Sequence, residues 1–254
     1  VKKTEAPHRH MEPKQAPRAV HGRYCVDISS GTPVLFEDGK LLTKHFLRPY
    51  AMKDICDTWG FNKTVYETQK QDFTLESAQI TECGAVFTKL KTTWRFGHSV
   101  VELYYTLYDE HIDCTYRVLW QEQGYALKLE LSNSGKHVRC LASAPYSCEE
   151  RPASEFEKPV GEYLSLLSDE GSFYLAMDSI FAYQFNEDAV GLTLLRNCIF
   201  GDLRTKELQK ADYRYMGQGE TKGGLRVFTH APGNLAAEAM VFNNPPRVML
   251  EANH

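Results

Sequence analysis

Several stretches of this 254-residue sequence place residue types at spacings that could do chemistry. His111 and Asp113 have the His-x-Asp spacing that some zinc hydrolases use. Residues two apart on a strand share a face, so both could ligate one ion. A catalytic zinc needs a third protein ligand, and no second His/Asp cluster supplies it, so a structural role is expected. "GQGETKGG" (217–224) is glycine-rich like a phosphate loop. The Walker pattern, however, ends in Gly-Lys-Ser/Thr and opens a helix. Here Lys222 precedes Gly223 and strand-like residues follow. With no helix N-terminus to receive a phosphate, the stretch reads as a connection between strands.

Three further groups could touch a sugar. "DTWG" (57–60) puts Asp57 beside Trp59 on an irregular loop. An indole face stacks on a sugar ring while a carboxylate takes its hydroxyls; alternatively the indole plugs the end of the fold. "PYSCEERP" (145–152) gathers Glu149, Glu150 and Arg151. Adjacent carboxylates on extended chain point apart and do not span a glycosidic bond. A solvated loop with a local ion pair is the simpler reading there, with Arg151 kept as a candidate contact. Arg196 closes the run "GLTLLR". Its fork of donors suits sugar hydroxyls or a structural ion pair equally. His98, His111, His137 and His230 fall at strand ends or turns, with no Glu partner legible for any of them.

The elements that must position these groups are strands. Val86, Leu90, Trp94 and Phe96 alternate with Lys89, Lys91 and Arg95. Val101, Leu103, Tyr105 and Leu107 share one face of the next run, and Ile112, Cys114, Tyr116, Val118 and Trp120 share one face of the run after it. Tyr125, Leu127, Leu129 and Leu131 alternate with Lys128 and Glu130. Period two predicts half-buried strands. The short links 97–99, 109–111, 121–124 and 132–136 predict an antiparallel meander. Runs at 172–177, 191–196 and 224–230 continue the pattern, while "LAAEAMVF" (235–242) is the nearest approach to a helix and is short. Longer loops are expected at 49–68 and 145–163. Such strands must cover their apolar faces with another sheet, so the predicted fold is all-β, a large antiparallel β-sandwich.

Composition narrows the function classes. Apolar residues at 43% are enough for a core, and 29 Lys+Arg against 33 Asp+Glu leave no basic footprint for nucleic acid. No apolar run has membrane-spanning length, so no membrane partner is expected. Seven cysteines at wide spacings, without CxxC, point to scattered thiols in a reducing compartment, hence a cytoplasmic location. The opening "VKKTEAPHRHMEPKQAP" reads as a linker.

In order, these segments resemble the C-terminal β-region of glycoside hydrolase family 38, the α-mannosidases, in its bacterial branch. "DTWGF" (57–61) resembles that branch's "DTWG" loop, and 94–131 resembles its meander. "PYSCEERP" resembles "PYGxIERP", and "LTLLRN" (192–197) resembles "LTLLRSP". "DYRYMGQGE" (212–220) resembles "DYRYMDQGEH", and "FNNP" (242–245) resembles a late "NNPL" stretch. The sequence departs from the pattern at Asn197 and Cys198, where Ser-Pro is common, at Gly217 in place of Asp, and at Thr221 in place of His.

The resemblance implies a sandwich of the galactose-mutarotase-like type, following a catalytic α/β barrel and a helical segment of the same polypeptide. It implies hydrolysis of α-mannosidic bonds with retention, using an Asp nucleophile, an acid/base carboxylate and one zinc ion. Those motifs precede the matched region, so no catalytic or metal-ligating residue is assigned in this chain. Residues 1–19 are then expected to be a linker and 20–254 a sandwich domain truncated at its C-terminus. The isolated chain is expected to be inactive, with Asp57, Trp59, Arg151 and Arg196 as contacts to a mannose-containing glycan. A homo-oligomer is compatible with all of this. The alternative is a stand-alone carbohydrate-binding module or an aldose epimerase on the same fold.

Overall fold

A computed structural model describes residues 17–58, 66–133, 135–199 and 215–245. β1 (Arg18–His21), β2 (Tyr24–Asp27), β3 (Val34–Glu37) and β4 (Lys40–Thr43) form a small antiparallel sheet in sequence order. The chain continues through β5 (Phe46–Asp54), β6 (Tyr66–Asp72), β7 (Thr74–Cys83), β8 (Thr88–Phe96), β9 (Ser99–Leu107), β10 (Ile112–Trp120) and β11 (Tyr125–Ser132). β12 (Arg139–Ala144), β13 (Ser147–Arg151), β14 (Lys158–Pro159), β15 (Tyr163–Leu167) and β16 (Phe173–Asp178) follow. Then come β17 (Ala182–Phe185), β18 (Ala189–Asn197), β19 (Gly219–Phe228) and one helix, α1 (Leu235–Asn243).

Nine strands make one large sheet, in the order β13-β12-β15-β16-β19-β10-β9-β8-β7. Six make the other, in the order β14-β17-β18-β11-β5-β6. Their inner faces share one core. Leu103, Tyr105, Cys114, Val118 and Trp120 of the large sheet and Phe46, Leu127, Leu129 and Leu192 of the smaller one are each fully buried in it. Phe46 and Tyr105 lie 5.9 Å apart across the gap, and the Tyr105 hydroxyl donates to the Leu47 carbonyl at 3.2 Å. The predicted sandwich and the inward faces of β9 and β10 are therefore found.

Four expectations change. Residues 49–54, expected in a loop, are the second half of β5, hydrogen-bonded to β11 inside the six-stranded sheet. The 145–163 loop contains β13 and β14. The stretch 219–224, expected as a connection, belongs to β19 and sits between β10 and β16. Its glycines serve close packing. A Cβ on Gly223 would stand 2.3 Å from the Tyr116 hydroxyl, and one on Gly224 would stand 3.4 Å from Phe242 of α1. The helix itself is real, capped by Asn234, whose side chain accepts from the Ala237 amide.

β11 is also buried on both faces. Leu127, Leu129 and Leu131 point into the core, and Lys128 and Glu130, expected on a solvated face, are buried on the other. Lys128 is paired with Glu157 at 2.5 Å and lies 4.8 Å from the Tyr66 ring centroid. Glu130 takes Arg48 at 2.7 Å and Lys70 at 2.5 Å. A central strand can carry such groups only because each has a partner.

Candidate functional site

Three strand termini meet at one end of the six-stranded sheet: the end of β5, the start of β11 and the end of β18. Asp54 closes β5 with its side chain fully buried. Arg196, one residue from the end of β18, grips it from across the sheet. Its Nε donates to Asp54 Oδ2 at 2.6 Å and its Nη2 to Oδ1 at 3.0 Å. Nη2 also donates to the Asp57 carbonyl at 2.7 Å. The fork is the reason arginine serves here: two parallel bonds neutralise the carboxylate and leave a donor over.

Asn197 extends the brace. Its Oδ1 accepts from the Gly124 amide at 3.0 Å, and its Nδ2 donates to the Met216 carbonyl. Main-chain bonds complete it, from Thr58 to the Ile199 carbonyl at 3.0 Å and from Met216 to the Cys198 carbonyl at 3.1 Å. Asp57 bridges Ile199, and Ile199 bridges Tyr215. Burial pushes up the Cys198 thiol, leaving it a poor nucleophile at neutral pH. Gly217 follows with φ +72, and a Cβ there would lie 3.2 Å from the Arg196 carbonyl oxygen. Two of the four departures from the family pattern, Asn197 and Gly217, therefore have jobs in this corner. Exposed Ile55, Ile199 and Met216 belong to these same segments.

Of the four residues expected to contact a sugar, the structure brings Asp57 and Arg196 together. Trp59 lies outside the described residues. Arg151 sits on β13, an edge strand of the other sheet, with its Nη2 2.5 Å from Glu149. Neighbouring Glu150 is held by Arg139 at 2.6 Å. The acidic loop thus resolves into two ion pairs, one within the strand and one across to β12.

His111 and Asp113 lie 3.7 Å apart, but Asp113 is occupied by Arg226, with bonds of 2.7 and 3.0 Å to its two oxygens. His111 packs on Tyr108 at 4.7 Å. Among the described residues no group of three His, Cys, Asp or Glu could hold a metal. These residues do not fit a zinc ion.

One pairing was invisible in the sequence. His230 Nε2 lies 2.9 Å from Glu37 Oε1, which also accepts from the Thr229 hydroxyl at 2.8 Å. The two residues are 193 positions apart, so no local spacing could show them. They border a cavity of about 510 Å³ shared with Asp38, Asp169, Glu170 and Tyr174. An epimerase needs its acid and base on opposite sides of an anomeric centre. Here the two groups bond to each other.

The sequence matches the family described as glycosyl hydrolases family 38 C-terminal domain over residues 22–204. No curated protein sequence matches it. An alpha-mannosidase from Enterococcus faecalis V583 superposes with a TM-score of 0.66 at 12% identity, covering 86% of this chain and 30% of that one. A glycosyl hydrolase family 38 protein from Enterococcus faecalis gives 0.65 at 13%, covering 87% and 32%. At such identity the likeness speaks for the fold alone, a large antiparallel β-sandwich, and this chain spans about a third of the length of either structure. With the family matched across most of its residues, the chain belongs to the C-terminal domain of the family 38 glycosyl hydrolases.

Proposed function

We propose that this chain is the C-terminal sandwich of a retaining, zinc-dependent α-mannosidase. The observation that carries the reading is the family match over residues 22–204. In this reading the sandwich packs on a catalytic barrel and helical segment of the same polypeptide and lends the Asp57 edge to a cleft for a mannose-containing glycan. In the same reading the zinc ion and the nucleophile belong to that catalytic part, and Asp113, bound by Arg226, serves as a structural partner here. The seven cysteines, all free, support a cytoplasmic location. No helix among the described residues is long and apolar enough to cross a membrane.

What this chain's own residues do is bind and orient. Ile55, Ile199 and Met216 offer apolar contact beside the polar backbone at Asp57. A sugar ring presents the same mixture of apolar faces and hydroxyl rims. The test uses the full-length polypeptide with an aryl α-mannoside. Turnover that stops on chelation and returns with zinc, and a product released first as the α-anomer by proton NMR, is the expected result. Absence of turnover, or a β-anomer first, would refute it.

A further inference from the structure

We propose that Asp54 and Arg196 are positioning residues for the sugar-facing edge, a step that rests on the α-mannosidase reading. Their buried ion pair fixes the backbone at Asp57 and, through neighbouring Asn197, at Met216. Two segments 150 positions and more apart in the sequence are thereby held as one edge for a mannoside.

The geometry gives three reasons. First, Asp54 is fully buried in its side chain, and a buried carboxylate must be paired. Arg196 provides that pairing through two bonds and spends a third on the Asp57 carbonyl. The arginine therefore does more than neutralise a charge: it ties the end of β5 to the chain beyond it. The other Asp54 oxygen contact points the same way, since Oδ1 also accepts from the Cys56 amide at 3.1 Å.

Second, the regular ladder has ended here. Beyond Asp54 and Asn197 the described pairing is reduced to the isolated bridges Asp57–Ile199 and Ile199–Tyr215. Backbone outside a sheet needs side chains to fix it, and Arg196 and Asn197 are adjacent residues that each reach a different segment. Third, the corner is rimmed by exposed apolar side chains, so rigidity is placed beside a surface suited to contact. Pre-ordering a binding edge lowers the entropy lost when ligand arrives. Loss of the brace should therefore weaken substrate binding more than it slows chemistry.

The experiment compares Asp54→Asn and Arg196→Lys in the full-length polypeptide, with Glu76→Ala, which removes an exposed pair to Arg95, as control. Arg196→Lys keeps the charge but has one ammonium, which cannot hold both Asp54 oxygens and the Asp57 carbonyl. It thereby separates positioning from gross unfolding. The expected result is KM raised about tenfold with kcat within about twofold for Arg196→Lys. Amide exchange at Cys56, Thr58 and Met216 should be accelerated about tenfold or more while the β10 core stays protected. Glu76→Ala should change neither. Unchanged exchange at those amides overturns the brace. Accelerated exchange with unchanged KM overturns its role in binding. A wild-type polypeptide without mannosidase turnover whose variants still show the faster exchange refutes the enzymatic reading and not the brace.

Discussion

Lys128 is fully buried, and its ammonium lies 2.5 Å from the Glu157 carboxylate, on the face of the six-stranded sheet away from the core. Glu157 also accepts from the Thr193 hydroxyl, and the Tyr66 ring covers the ammonium from 4.8 Å. Glu157 thus ties the segment between β13 and β15 to the central strands β11 and β18, beside the pairing of β14 with β17.

Glu157→Gln should cost about 3–5 kcal/mol, because it leaves a buried ammonium without its counter-charge. Replacing both, as Lys128→Met with Glu157→Gln, should cost clearly less than the single change, because the uncompensated charge is gone. Urea unfolding of the two variants beside the wild type checks this. Equal losses for the single and the double variant would contradict it.

Acid should destabilise the domain in two stages. Burial holds His45 below its ordinary 6.5 despite nearby Glu130. The unfolded chain then binds the proton first, and stability falls as pH drops through about 6.5. Burial alone would raise Glu130, but Lys70 and Arg48 overcome it and hold the group below its ordinary 4.5. Its contribution is therefore complete above that value and lost as pH falls through the lower folded value. Melting temperature measured from pH 7 to 3 should decline in both regions, and Glu130→Gln should make the lower decline shallower, the remainder coming from other held carboxylates such as Glu102. A curve for that variant parallel to wild type below pH 4.5 would count against the network.

Gly223→Ala should destabilise by about 1–3 kcal/mol, since the new methyl meets the Tyr116 hydroxyl and the fold is tightly packed there. The same change in a Tyr116→Phe background should cost less, because the Cβ lies 2.3 Å from the hydroxyl oxygen in particular. Additive losses in the double variant, read from thermal melts, would show that the clash is with what phenylalanine keeps, the ring carbon Cζ at 2.6 Å, or with the Asp178 carbonyl at 3.1 Å.

The alternation in β9 and β10 was legible because each strand has one wet face, which is the condition under which period two appears. It misled in β11, where Lys128 and Glu130 look solvated by spacing but are buried by chain arriving from β5, β6 and residue 157. Gly219 to Gly224 read as a loop because glycine normally interrupts strands. Here Tyr116 and Phe242 fill the space that side chains would have taken. At the candidate site, Asp57 and Arg196 were readable as residue types with a use. Asp54 and Asn197 were not, because their meaning comes from partners 142 and 73 positions away. Ion pairs of long sequence separation leave no local pattern.

The α-mannosidase proposal puts the chemistry outside residues 1–254. The direct measurement is aryl α-mannoside hydrolysis by residues 1–254 alone, with zinc added, beside the full-length polypeptide at equal concentration. Turnover by the full-length polypeptide and none above background by the isolated chain is the expected result. Zinc-dependent turnover by the isolated chain would contradict it.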